Sequence, residues 1–173
     1  MFKGFVIRTP TALVDEPRIT LTMDGWNRIE ELKTSGRSLT QCFAAMAFRR
    51  DMDAIWGSVI VPAIEGSGYK LFRLDRAQHV NRIDDEIIGQ IRRSRFMVAD
   101  FTLQRGGVYF ESEMMHGFGR NVIWMCHEDE LKSKEGLHFD IRQFNFLTYG
   151  DPDDGIKKRL YDRILAIEGE ALC

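Results

Sequence analysis

The sequence is poor in the residues that mark specialised folds. It has only three cysteines, Cys42, Cys126 and Cys173. Their odd number and lack of paired spacing argue against a disulfide framework and read as free thiols in a reducing cytoplasm. Proline is scarce, four in 173 residues, and there is no low-complexity tract or internal repeat. No apolar run approaches the roughly 20 residues needed to span a bilayer, so no membrane partner is expected. The opening Met1-Phe2-Lys3-Gly4 has no long apolar stretch and cleavage site behind it, which argues against a leader peptide. Charge of one sign is lacking too. The chain has 24 basic and 26 acidic side chains, a net charge of -2, and polymeric nucleic acid is not an expected partner. Neither G-x-x-x-x-G-K-[ST] nor G-x-G-x-x-G occurs, and His79, His116, His127 and His138 lack metal-ligand spacing. No metal or cofactor is expected.

Apolar residues make up 44% of the chain and charged residues 29%, enough for a core of ordinary size. Residues 1–40 read as a small appendage or connector. Phe5-Val6-Ile7 and the alternating Arg18–Thr22 predict two short strands, and Asp24 is placed to cap a helix carrying Trp26, Ile29 and Leu32. Residues 41–173 are more regular. Gln41–Phe48, Tyr69–Leu74, Phe96–Asp100, Asn121–Cys126 and Phe144–Tyr149 predict five strands. Between them lie helical patterns over Asp51–Gly66, around Ile83–Ile91, over Glu111–Phe118 and around Ile156–Leu165. Pro62 is expected to kink or break the first of these late. Alternation of strands with helices predicts an α/β fold with a parallel sheet. Ligands of such folds bind beyond the carboxyl ends of the strands, where strand order reverses. This confines a site to the loops 47–50, 75–82, 100–109 and 127–138.

The segment from Asp100 to Glu111 stands out among these loops. Asp100 ends an apolar strand and Glu111 opens the next predicted helix. Gly106 and Gly107 permit close backbone approach to a ligand. In the first turn of a helix, Glu111 is favoured in its ionised form. An ionised carboxylate at a pocket rim can attack an anomeric carbon or stabilise an oxocarbenium ion. Asp100 can bind a sugar hydroxyl or assist protonation of a leaving base. Read without a ligand, Glu111 is a helix N-terminal acid and Asp100 caps a turn. The same double reading applies to Arg105, which either faces a phosphate or is a solvated loop residue. Arg142, Gln143 and Asn145 either hold the last loop against the pocket or reflect edge-strand polarity. His127-Glu128-Asp129-Glu130 reads first as a solvated acidic loop.

The run SRFMVADFTLQRGGVYFESEMMHGFGRNVIW resembles the core of the nucleoside 2-deoxyribosyltransferase-like superfamily, which is similar in fold to TIR domains. AAMAF is similar to that family's first strand and loop, and HVNRIDDEIIGQIRRS to the helix before the Asp-ending strand. HFDIRQFNFLTY is similar to TIR-like sequences near their last strand. The resemblance covers roughly residues 41–150. It implies a five-stranded parallel flavodoxin-like sheet with helices on both faces, with the N-terminal β-hairpin and helix as an appendage. It implies that Glu111 is the nucleophile and Asp100 a second catalytic residue. Met46, Ala47 and Phe48 would line the pocket, with Gln104, Arg105, Gly106, Gly107 and Tyr109 as substrate-binding residues. The implied substrate is a small nucleoside, nucleotide or NAD. The family's tendency to complete its pocket with a neighbour implies a homo-oligomer. The chain departs from the family at Gln104-Arg105-Gly106-Gly107, where transferases usually carry a further Asp. This favours hydrolysis of an N-glycosidic bond over base exchange. The alternatives are a TIR-like domain consuming NAD in antiphage signalling, and a non-catalytic nucleotide- or protein-binding module.

Overall fold

The structure is a computed structural model that describes residues 6–9, 18–34, 40–73, 83–133, 136–150 and 155–171. The chain forms two compact units, Met1–Gly36 and Arg37–Cys173. In the first, strand β1 (Val6–Thr9) pairs antiparallel with β2 (Arg18–Leu21), and helix α1 (Met23–Thr34) follows. The cap of α1 is Thr22 rather than Asp24. Thr22 Oγ1 accepts the Gly25 N–H at 3.0 Å, and Asp24 falls within the first turn. Trp26 lies 57% exposed on this helix.

The second unit carries five strands: β3 (Gln41–Ala45), β4 (Lys70–Phe72), β5 (Phe96–Asp100), β6 (Val122–His127) and β7 (Leu147–Tyr149). All pair in parallel, in the order β4-β3-β5-β6-β7. This is the flavodoxin-like order, with its reversal between β3 and β5. Strands buried on both faces need apolar residues at every position, and β5 is buried throughout. Alternate residues feed opposite layers. Cys42, Phe96, Val98, Ile123, Met125, Leu147 and Tyr149 pack in one cluster with Ile60, Ile64 and Leu160. Phe43, Met97, Ala99, Trp124 and Cys126 pack in the other with Ile87, Ile91, Val108 and Met115. Both Cys42 and Cys126 are buried free thiols, and burial pushes the Cys126 thiol up to about 12.

The first core helix of this unit is widened rather than kinked. After a 3₁₀ turn (Arg50–Met52) come α2 (Asp53–Ile55), a π-helical segment (Trp56–Ile60) and α3 (Val61–Gly66). Pro62 has no N–H for the carbonyl four residues back. The preceding turn opens instead, and Val61 N–H reaches Trp56 O. Three further helices follow: α4 (Ile83–Arg93), α5 (Gly106–Gly117) and α6 (Glu128–Lys132). The acidic stretch after His127, expected as a loop, is thus a short helix. The His127 ring caps it by accepting the Asp129 N–H at 3.3 Å. A 3₁₀ turn (Phe139–Ile141) precedes β7, and α7 (Ile156–Glu168) closes the unit.

At the amino end of the sheet a polar clamp ties α7 to the strands. Glu168, 8% exposed, accepts Arg95 Nε at 2.7 Å and Asn121 Nδ2 at 2.7 Å. Tyr69 Oη donates to Glu168 O at 3.2 Å. Arg120 Nη1 donates to the carbonyls of Ile91 and Ser94 and satisfies the end of α4. Removing one partner of a buried charged pair leaves the other uncompensated. Glu168→Ala should therefore lower unfolding stability by about 3 kcal/mol, read by urea denaturation. An unchanged midpoint would show that the clamp contributes nothing.

Candidate functional site

Over the carboxyl ends of β3 and β5, where strand order reverses, lies an open groove of about 380 Å³. Met46, Ala47 and Phe48, which continue β3, form one wall. Arg105, Gly106, Gly107, Val108 and Glu111 form the other. Phe48 is 40% exposed. The Arg73 guanidinium lies 4.5 Å from its ring centroid and 4.4 Å from that of Trp56. This cation–π stack steadies the Phe48 wall. Arg73 directly follows β4 and was not singled out by sequence.

The opposite wall is the start of α5. This helix begins at Gly106, five residues earlier than the sequence pattern predicts, with Arg105 at the N-cap in extended conformation. Two adjacent glycines read as a turn. Here they form the first turn of the helix instead. Glu111 is consequently in the second turn, not the first, and the first turn holds no acid. The expected electrostatic help from the helix start is weaker there, because it fades within one turn. The Arg105 side chain itself makes no capping hydrogen bond. A Cβ added at Gly106 would meet nothing within 4 Å, so the groove is open at this point.

Three predicted site residues lie elsewhere. Asp100 is fully buried and does not line the groove. Its Oδ1 accepts Thr102 N–H at 2.9 Å, and its Oδ2 accepts Tyr149 Oη at 2.7 Å. Strand alternation explains this: Asp100 shares its face with Val98, on the side of Leu147 and Tyr149, opposite the layer that holds α5. Gln104 turns away from the groove and donates to Glu130 Oε2 at 2.6 Å. Tyr109 packs edge-on to Phe101 and accepts the His138 N–H at 3.3 Å. It belongs to a separate cavity of about 520 Å³ with Glu113, His116, His138 and Asp140. That cavity is larger than the groove but lies away from the reversal of strand order. Arg142 and Gln143 donate to the carbonyls of Leu137 and Asp140, bracing their own loop rather than the groove. Among the described residues no group of three or more His, Cys, Asp or Glu side chains is placed to hold a metal ion. His79 and the rest of residues 75–82 lie outside the described residues.

Sequence reasoning missed Thr102 and Tyr149. Thr102 Oγ1 lies 2.8 Å from Tyr149 Oη and accepts the His127 N–H at 2.8 Å. Both are polar residues at strand ends, with no motif to announce them.

The architecture has a solved counterpart. A structure described as Clostridium botulinum CMP N-glycosidase, BcmB, matches with a TM-score of 0.52 and 16% sequence identity, covering 69% of this chain and 97% of that one. At this identity the likeness establishes a shared fold. No protein-family model matches the chain, and no curated protein does.

Burial raises the Asp100 carboxyl to about 6, against opposing hydrogen bonds from Tyr149 and Thr102. A carboxyl with a raised folded-state value keeps a proton that the unfolded chain releases. Its contribution to stability is fullest below the unfolded value of 3.8 and falls as pH rises through about 6. Asp100→Asn removes this dependence. The stability of wild type relative to Asp100→Asn should decline between about pH 4 and pH 6.5, with a slope approaching roughly 1.4 kcal/mol per pH unit. Urea denaturation at a series of pH values reads it. Parallel curves for the two proteins would contradict the assignment.

Proposed function

We propose that the chain cleaves the N-glycosidic bond of a nucleoside, nucleotide or NAD, with Glu111 as nucleophile. The observation that carries this reading is the placement of Glu111 in a groove at the reversal of strand order, facing an aromatic wall. Residues 41–173 hold the activity. A substrate base stacks on Phe48, and a phosphate or sugar hydroxyl meets Arg105 and the N–H groups of Gly106 and Gly107. Glu111 attacks the anomeric carbon. The carbon–nitrogen bond breaks and its electron pair passes to the base, which takes up a proton from solvent when it leaves a nucleoside or nucleotide and leaves NAD directly as neutral nicotinamide. Water then attacks the same carbon, the ester bond to Glu111 breaks, and the water's second proton is released. The sum is free base and free sugar. The groove wall Arg105-Gly106-Gly107 offers no second carboxylate, which supports hydrolysis over base exchange. The shared fold with a CMP N-glycosidase supports the reaction class.

The test is a panel of CMP, other nucleotides, nucleosides and NAD, with released base measured by chromatography. Wild type should release base from at least one of them. Glu111→Gln should lower that rate by about 10³-fold or more with an unchanged circular dichroism spectrum. Equal rates in the two proteins, or tight binding without turnover, would exclude the catalytic reading.

A further inference from the structure

The turn between β5 and α5 is held in a conformation that its residues disfavour. Leu103 has φ 72° and Gln104 has φ 46°, and neither is glycine. Two consecutive left-handed residues with side chains cost about 1–2 kcal/mol each. Such a turn persists only if its surroundings hold it, and here three neighbouring strands and a helix do so. Asp100 of β5 binds the Thr102 N–H. Tyr149 of β7 meets both Asp100 and the Thr102 hydroxyl. The His127 N–H of β6 donates to Thr102 Oγ1, and Glu130 of α6 accepts from the Gln104 side chain. Phe101 O accepts the Gln104 N–H at 2.9 Å.

These bonds run in one direction. Ionised Asp100 only accepts, so Tyr149 donates to it. Thr102 then donates to Tyr149, and its oxygen accepts from His127. Each hydroxyl proton is used once, and removal of one member leaves a buried partner unsatisfied. Past the strained pair the chain delivers Arg105, Gly106 and Gly107 directly into the groove. Glu111 lies a turn further along α5, a helix anchored by buried Val108 and Met115.

We propose that Asp100, Thr102 and Tyr149 are positioning residues: they clamp the strained turn so that Arg105 and the start of α5 meet the substrate, and Asp100 itself does not touch it. This rests on the N-glycosidase reading of the groove. The clamp acts on the binding groups at the turn, not on Glu111. Losing it should therefore weaken substrate binding more than it slows the chemistry.

Tyr149→Phe tests this, because it removes one hydroxyl and keeps the ring. With the fastest substrate of the panel above, KM should rise about tenfold while kcat stays within about threefold, the mark of lost uniform binding. Hydrogen exchange of the amides at 102–107 should quicken about tenfold, while the remaining strands exchange as in wild type. A fall in kcat at unchanged KM would reflect only a smaller folded fraction and would overturn the proposal. So would unchanged exchange at 102–107, or faster exchange with both kinetic constants unchanged. The exchange measurement needs no substrate. If wild type releases no base, the reading of Glu111 fails, while exchange still decides whether the chain clamps the turn.

Discussion

Parallel pairing of β3 with β5 at the centre of the sheet sets the positions of everything that follows. Parallel strands need a crossover at each step, so all five strand ends point their following loops to one edge. From β3 the chain moves outward to β4, and it returns to pair β5 on the other side of β3. The loops after β3 and β5 therefore diverge, and a groove opens between Met46–Phe48 and the start of α5. Alternating residues on these two strands supply both core layers at once, Cys42 and Val98 to one, Phe43 and Met97 to the other. The same pairing that builds the core also places the cleft.

A buried carboxyl at the end of β5 sits badly with that apolar centre. Burial disfavours its charge, and two donors at 2.7 and 2.9 Å offset part of the cost. In return the carboxyl, together with Thr102 and Tyr149, ties three strand ends to one short turn. The turn stores strain in Leu103 and Gln104, and it ends at the residues that line the groove. Strain at such a place is characteristic of functional loops held by an over-determined surrounding. The groove itself is built differently. Its walls are an aromatic ring steadied by Arg73 and the glycine-led start of α5, which in the proposed reaction take a flat base and an anionic group.

Much of this could be read from the residues alone. The apolar runs of β3, β5 and β6 fit only strands covered on both faces, and the Ile spacing of α4 fits only a helix. Other features depended on effects that pattern does not carry. Gly106 and Gly107 have poor helix propensity, yet they begin α5, which moves Glu111 from the first turn to the second. Pro62 signals a disturbed helix but not its form, which is a π-helical widening over Trp56–Ile60. The direction of Asp100 was recoverable. In FMVAD it has the same parity as Val98, so its side chain points away from the layer that packs α5. The Thr102–Tyr149 contact spans 47 residues, and nothing local encodes it.

A covalent bond between a Glu111 oxygen and the sugar would separate nucleophilic catalysis from every other role of the groove. A substrate nucleoside or nucleotide bearing fluorine at sugar carbon 2 slows both steps, and the second can be outlasted by rapid acid quenching. Mass spectrometry of the quenched, digested protein should find the peptide containing Glu111 heavier by the mass of the fluorinated sugar moiety, and should find no such gain in Glu111→Gln. Release of base with Glu111 unlabelled, or label on another side chain, would contradict nucleophilic attack by Glu111.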